Sequence, residues 1–134
     1  MVVADANGLP VSAYVASASP HEITLVEETL NKSWNDESPE KLIGDKAYDS
    51  DPMDEKLEND YGIELIAPNR SNRIKQTQDK RKLRRYKRRW KIERLNAWLQ
   101  NFRRVVVRWD YKAENFMAFV LIACIIIVCR NTNF

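Results

Sequence analysis

The 134-residue chain has only three glycines, two cysteines and one histidine. So few glycines leave no Gly-rich loop to cradle a nucleotide phosphate. His21, standing alone, leaves zinc catalysis and a Ser-His-Asp triad without the imidazoles they need. Cys124 and Cys129 lie five apart in an apolar run, match no metal spacing and cannot build a disulfide framework. They read as reduced, buried thiols of a cytosolic protein. A bilayer-length run is missing as well. The longest apolar stretch, Phe116 to Cys129, has 14 residues, where a span needs about 20, so it reads as a helix buried in protein, with no membrane expected. The amino-terminal residues lack the basic-then-apolar order of a signal peptide. The acidic run DKAYDSD from Asp45 has neither the Gly nor the closing Glu of a calcium loop.

The composition that remains, 44% hydrophobic and 10% aromatic, is that of one compact domain with a core. The net charge of +3 conceals a separation. Residues 1–68 hold 4 Lys/Arg against 15 Asp/Glu, a net of −11, whereas residues 69–134 hold 18 against 4, a net of +14. Nine of the twelve residues from Lys80 to Lys91 are basic: Lys80, Arg81, Lys82, Arg84, Arg85, Lys87, Arg88, Arg89 and Lys91. Such density attracts a polyanion by counterion release. A solvated helix face is the other reading of a charge run. Two details favour nucleic acid: cations near a helix start oppose the macrodipole, so local stability does not explain them, and Trp90, Trp98, Arg103 and Arg104 follow.

Periodicity orders the elements. Val2 to Asp5 and Leu9 to Ser17 flank Asn7-Gly8 and predict a hairpin. Ser19, Pro20 and Glu22 supply a cap, a first-turn proline and a capping-box acid for a helix to about Ser33. Lys41 to Gly44 predicts a short strand, Asp51-Pro52 a helix to about Asn59, and Gly62 to Ala67 a strand ended by Pro68. From Gln78 to Phe102 no Pro or Gly interrupts the chain, and Leu83, Ile92, Leu95, Leu99 and Phe102 predict one long amphipathic helix. A Val-rich connector, Arg103 to Arg108, leads to a last apolar helix over 113–130. Alternation of this kind predicts an α/β fold with a mixed sheet flanked by helices. Asp45 then falls directly after a strand, at the carboxyl edge where open sheets carry ligands.

On a continuous helix Tyr86, Glu93 and Gln100 share one line, with Arg89 and Trp90 beside it. Taken separately, Glu93 reads as an ion-pairing residue and Asp45 as a loop cap. Together, in a cationic setting, they are hard oxygen donors suited to Mg²⁺ or Mn²⁺. Paired ions of that kind support phosphodiester cleavage or strand transfer. Such a centre calls for a third carboxylate, and the residues point to none.

The same residues carry a resemblance. VVADANGLPVSAYVASASPHE, LIGDKAYDS, IAPNRSNR, YKRRWKIERLNAWLQNFRR and the later AENF resemble the carboxy-terminal part of bacterial insertion-sequence DDE transposases, close to the insertion-sequence-five family, over essentially all 134 residues. The family's helix signature, Tyr, two residues, Arg, three, Glu, six, Lys, is met by Tyr86, Arg89 and Glu93, with Gln100 in place of Lys. The resemblance implies a ribonuclease H-like fold in which Asp45 and Glu93 are the second and third catalytic, metal-holding carboxylates. It implies Mg²⁺ or Mn²⁺ as cofactor, with the two-metal site complete only when a first Asp is supplied. That Asp belongs to a first central strand preceding the hairpin, and Asp5, on the second strand, does not match it.

The expected entity is therefore residues 1–134 as a partial catalytic domain, lacking its first strand, with open sheet edges where that strand would lie. It would be a second-frame product or a fragment, inactive in transposition alone. Tyr86, Arg89, Gln100, Lys80, Arg81, Arg84, Arg85, Lys87, Arg88, Lys91, Arg103 and Arg104 are the expected DNA contacts. Transposon-end and target DNA, an upstream-frame transposase segment and self-association are the expected partners, in the cytoplasm at the nucleoid. The alternative is a fragment that binds DNA or a transposase without catalysis.

Overall fold

The computed structural model describes residues 1–35, 38–74 and 83–132. The chain divides into two compact units, Met1–Trp34 with Trp90–Phe134, and Asn35–Arg89.

In the first unit, strands β1 (Val2–Ala4) and β2 (Pro10–Ala13) pair antiparallel, with a bulge between Val3 and Ala4. The turn between them is larger than a two-residue Asn-Gly loop. Asp5 Oδ1 accepts from the backbone N–H groups of Asn7 and Leu9, both at 2.8 Å, and Gly8 supplies the only positive φ of the turn, +85°. The carboxylate thus caps a loop in which Asn7 keeps a negative φ. β2 is also shorter than expected: after Tyr14 N–H reaches Met1 O, no further rung forms among the described residues. Helix α1 (Val26–Leu30) follows a 3₁₀ turn, Glu22–Leu25, capped by His21 rather than Ser19. His21 is still extended (φ −65°, ψ 137°), so helical dihedrals start only at Glu22. Ser12 Oγ donates to Thr29 O, tying α1 to the hairpin.

The basic segment corrects the expected long helix. Residues 75–82 lie outside the described residues, Arg85–Arg89 is a 3₁₀ stretch, and helix α3 (so numbered after α2 of the other unit, below) covers only Trp90–Leu99. Like charges stand four apart at Arg84/Arg88, Arg85/Arg89 and Lys87/Lys91, a spacing that destabilises regular α-helix. The expected connector instead begins with a single-turn helix α4 (Arg103–Val106). Helix α5 (Ala113–Asn131) buries Val120, Ala123, Cys124 and Ile127, a stripe at helical spacing. These pack with Leu95, Leu99 and Ala13, surrounded by Val2, Leu9, Ile92, Phe102 and Phe116, to form the unit's core. Burial of α5 is thus one-sided, and the expectation of a wholly buried helix is corrected: Ile122 and Ile125 are more than half exposed, and the helix is long and apolar enough to cross a membrane. The cysteines divide accordingly. Cys124 is buried and its thiol is pushed up to about 11 by desolvation, while Cys129 is exposed, contrary to the expectation for both.

The second unit is a strand–helix–strand crossover. β3 (Lys41–Ile43) and β4 (Glu64–Ile66) pair in parallel, Lys41 opposite Glu64 and Ile43 opposite Ile66, with a Lys41–Glu64 ion pair at 3.2 Å. Helix α2 (Asp51–Tyr61) joins them, with Pro52 in its first turn. It ends where Gly62 turns left-handed (φ +67°) and its N–H meets Glu58 O. Leu57, Ile63, Leu65, Ile66 and Ala67 are buried.

The α/β class holds, but among the described residues the expected mixed sheet is two two-stranded sheets, one antiparallel and one parallel. No strand among the described residues bridges the hairpin and the parallel pair.

Candidate functional site

Asp45 stands two residues beyond β3, at the carboxyl end of the parallel pair. It caps the 3₁₀ turn Lys46–Tyr48, its Oδ1 accepting from Ala47 N–H at 2.8 Å. The loop-cap reading of this residue is therefore realised. The side chain is thus oriented through Oδ1.

The turn is pinned from outside by the segment Pro68 to Arg73. Arg70 donates from Nε to Lys46 O at 3.2 Å and from Nη2 to Ala47 O at 2.9 Å. Its backbone N–H donates to Asp49 Oδ2 at 2.6 Å. Asp49 is buried, and Arg73 bridges it to Asp51 through one guanidinium nitrogen for each carboxylate. One guanidinium group thus neutralises two carboxylates that would otherwise repel. Beside the cluster Asp54 is pushed up to about 6, first by desolvation, then by repulsion from Asp51 and Asp49, with Arg73 opposing. Asp49, Arg70 and Arg73 were missed as functional residues by the sequence reading. The phrases LIGDKAYDS and IAPNRSNR contained them, but no local spacing reveals a contact between residues more than 20 apart in the chain.

Glu93 is exposed in the first turn of α3, in the other unit. Tyr86 and Arg89 are together: Arg89 Nη1 donates to Tyr86 Oη at 2.7 Å. Because Tyr86 lies in the 3₁₀ stretch, the shared line through Tyr86, Glu93 and Gln100 is not a single helical face. Gln100 is exposed, its N–H bonded to Asn96 O at the end of α3. Arg84, Arg85, Lys87, Arg88, Arg103 and Arg104 are exposed, while Lys80, Arg81 and Lys82 lie outside the described residues.

Two cations of the basic helix do internal work. Lys91 Nζ donates to Ala6 O, and Arg94 Nη2 donates to Asn7 O at 2.5 Å, so both grip the hairpin tip. Arg94 also lies between Trp90 and Trp98, at 4.8 and 4.7 Å from the ring centres. Gly8 completes this contact, since a Cβ there would come within 2.7 Å of Arg94 Nη2.

Among the described residues, no three His, Cys, Asp or Glu side chains gather as a metal-holding group. Asp45 and Glu93 stand in different units, each a hard oxygen donor.

The family model for the transposase DDE domain matches residues 1–128. A protein named as a transposase for insertion sequence element IS402, from Burkholderia cepacia, is 30% identical over 139 residues, covering 98% of this chain. The chain spans 62% of that relative's length. No solved structure matches.

Proposed function

Since the chain belongs to the transposase DDE-domain family, we infer that it supplies two of the three carboxylates, Asp45 and Glu93, with which a ribonuclease H-like centre cuts and joins transposon DNA. The observation that carries this reading is Asp45 itself. It sits at the carboxyl end of a parallel strand, held through Oδ1 and with no donor to Oδ2 among the described residues, which suits a carboxylate that must be directed without being consumed. Asp5, on β1's turn, does not match the first carboxylate, which the test below supplies on an added segment.

Asp45 and Glu93 would hold Mg²⁺ or Mn²⁺, which when bound supply activation of the attacking oxygen and neutralisation of the leaving oxygen. This chain's own part is positional. Ala47 N–H and the Arg70-pinned turn orient Asp45. The exposed cations Arg84, Arg85, Lys87, Arg88, Arg103 and Arg104 hold DNA phosphates. Tyr86, locked to Arg89, and Gln100 add polar contacts to the strand. The buried stripe of α5 docks on the hairpin and α3.

The test supplies the upstream segment in trans and measures Mg²⁺-dependent nicking of transposon-end DNA. Nicking should require both pieces, and Asp45→Asn or Glu93→Gln should lower it at least about a hundredfold with DNA binding retained. Nicking by the isolated chain, or full activity of both variants, overturns the reading.

A further inference from the structure

Helix α5 buries Val120, Ala123, Cys124 and Ile127 against the core of the first unit. Half a helical turn away runs a second stripe, Ala118, Ile122, Ile125 and Cys129. All four are exposed, Ile122 by 51% and Ile125 by 61%. Every side chain from Phe116 to Cys129 is apolar, so no charge interrupts the stripe. A continuous apolar patch in water marks a contact surface. Because the other side of α5 is committed to Leu95, Leu99 and Ala13, the uncovered surface is a strip rather than a cylinder, the shape that one further helix fills.

Three features select a second copy of the same helix. The gaps along the stripe are four, three and four residues, which read the same from either end. A two-fold axis across α5, midway between Ile122 and Ile125, therefore sets Ile122 against the other copy's Ile125 and Ala118 against its Cys129. Large meets large and small meets small, as an isologous contact requires. The second feature is charge. The charged residues of α5 are Glu114 in its first turn and Arg130 in its last, and neither has an ion-pair partner among the described residues. Antiparallel pairing brings the acidic end of each helix to the basic end of the other and opposes their dipoles; parallel pairing sets like ends together. The third is size. The 19 residues of α5 span about 28 Å, and two such strips, interdigitated, bury on the order of 1,000 Å² in total, where specific but weak interfaces begin.

We propose that two copies of this chain pair antiparallel through the outer face of α5, with Ala118, Ile122, Ile125 and Cys129 in the contact and its centre between the two isoleucines. The face shares no residue with the carboxylates or the DNA-facing cations. The pairing therefore goes beyond the DNA-cutting reading and needs neither DNA nor metal.

Sedimentation velocity of the whole chain, without DNA and under reducing conditions, should show a monomer near 1 µM and a dimer by a few hundred micromolar, as for interfaces of small area (roughly these concentrations). Ile122→Lys and Ile125→Lys each place a charge in the middle of the strip and should stay monomeric throughout. Their circular dichroism should be unchanged, because both sites are exposed in the single chain. Cross-linking reads the register. In Ala118→Cys, copper-catalysed air oxidation should join position 118 of one copy to Cys129 of the other, identified by peptide mass. The two Cys129 residues lie about 16 Å apart along the paired helices, so the wild-type chain should link no faster than Ile122→Lys. A monomer at every concentration, a dimer that survives both lysine substitutions, or rapid Cys129–Cys129 linkage overturns the proposal. So does monomer that co-sediments with phosphatidylcholine vesicles and loses that binding in Ile122→Lys, which would give the strip to lipid. Failure of the DNA-cutting reading leaves each of these results unchanged.

Discussion

Two sets of arginines carry the same charge and have opposite fates. Arg70 and Arg73, in the loop after β4, direct their guanidinium groups inward onto two carbonyls and two carboxylates. Arg84, Arg85 and Arg88, with Lys87 beside them, stand exposed in the following stretch. The first set meets a strongly acidic surrounding, Asp49, Asp51 and Asp54, where unpaired carboxylates would otherwise repel. The second has few local acids, and its side chains face solvent from a 3₁₀ rather than an α-helical backbone. Charge sign alone therefore says little about role; the acids within reach decide whether a cation builds the fold or remains for a ligand.

The contrast is open to direct attack. Asp49→Ala removes the buried acceptor of both Arg70 N–H and Arg73, and should cost about 3 kcal/mol in urea denaturation, as expected when a buried charged partner is deleted. If stability changes by less than about 0.5 kcal/mol, the inward set is not structural. Replacing Arg84, Arg85, Lys87 and Arg88 together by Ala should do the reverse. Unfolding stability stays within about 0.5 kcal/mol. Duplex affinity falls roughly a hundredfold, and the slope of log K against log salt flattens by about 3.6. An unchanged slope would assign these side chains to solvent rather than DNA.

The smallest effect lies in the pH dependence of Asp54. Its folded-state value of about 6 against the ordinary 3.8 means that the native state binds its proton more tightly than the unfolded chain. Stability contributed by the protonated acid is therefore lost as pH rises from 3.8 to about 6, and is flat above. Because the group is partly open to solvent, the loss is small. Asp54→Asn should remove that slope and raise Tm near neutral pH by about two degrees, measured by thermal melts across the window.

Local patterning made the order of elements readable. The short runs Lys41 to Gly44 and Gly62 to Ala67 were readable as strands, Asp51-Pro52 as the start of α2, and the apolar run over 113–130 as α5. Asp45 was legible because a carboxylate directly after a strand is a local feature. Contacts across the chain were not. Nothing in the spacing of YKRRWKIERLN showed that Lys91 and Arg94 would reach back some 85 residues to the hairpin tip. Nor did Asp49 announce its arginine partners. The long helix failed for a different reason: hydrophobic period was weighed without the repulsion of cations four apart, and that repulsion coincides with the 3₁₀ winding before Trp90. Both cysteines were assigned to the interior because the run around them is apolar throughout, but an all-apolar helix packed on one side must leave the opposite side uncovered.

That last division has a practical consequence for labelling chemistry. With the Cys124 thiol enclosed and held protonated well above neutral pH, a thiol-directed fluorophore meets one reactive position, Cys129, without any residue being engineered. The carboxy-terminal helix comes with its own attachment point for following complexes in solution.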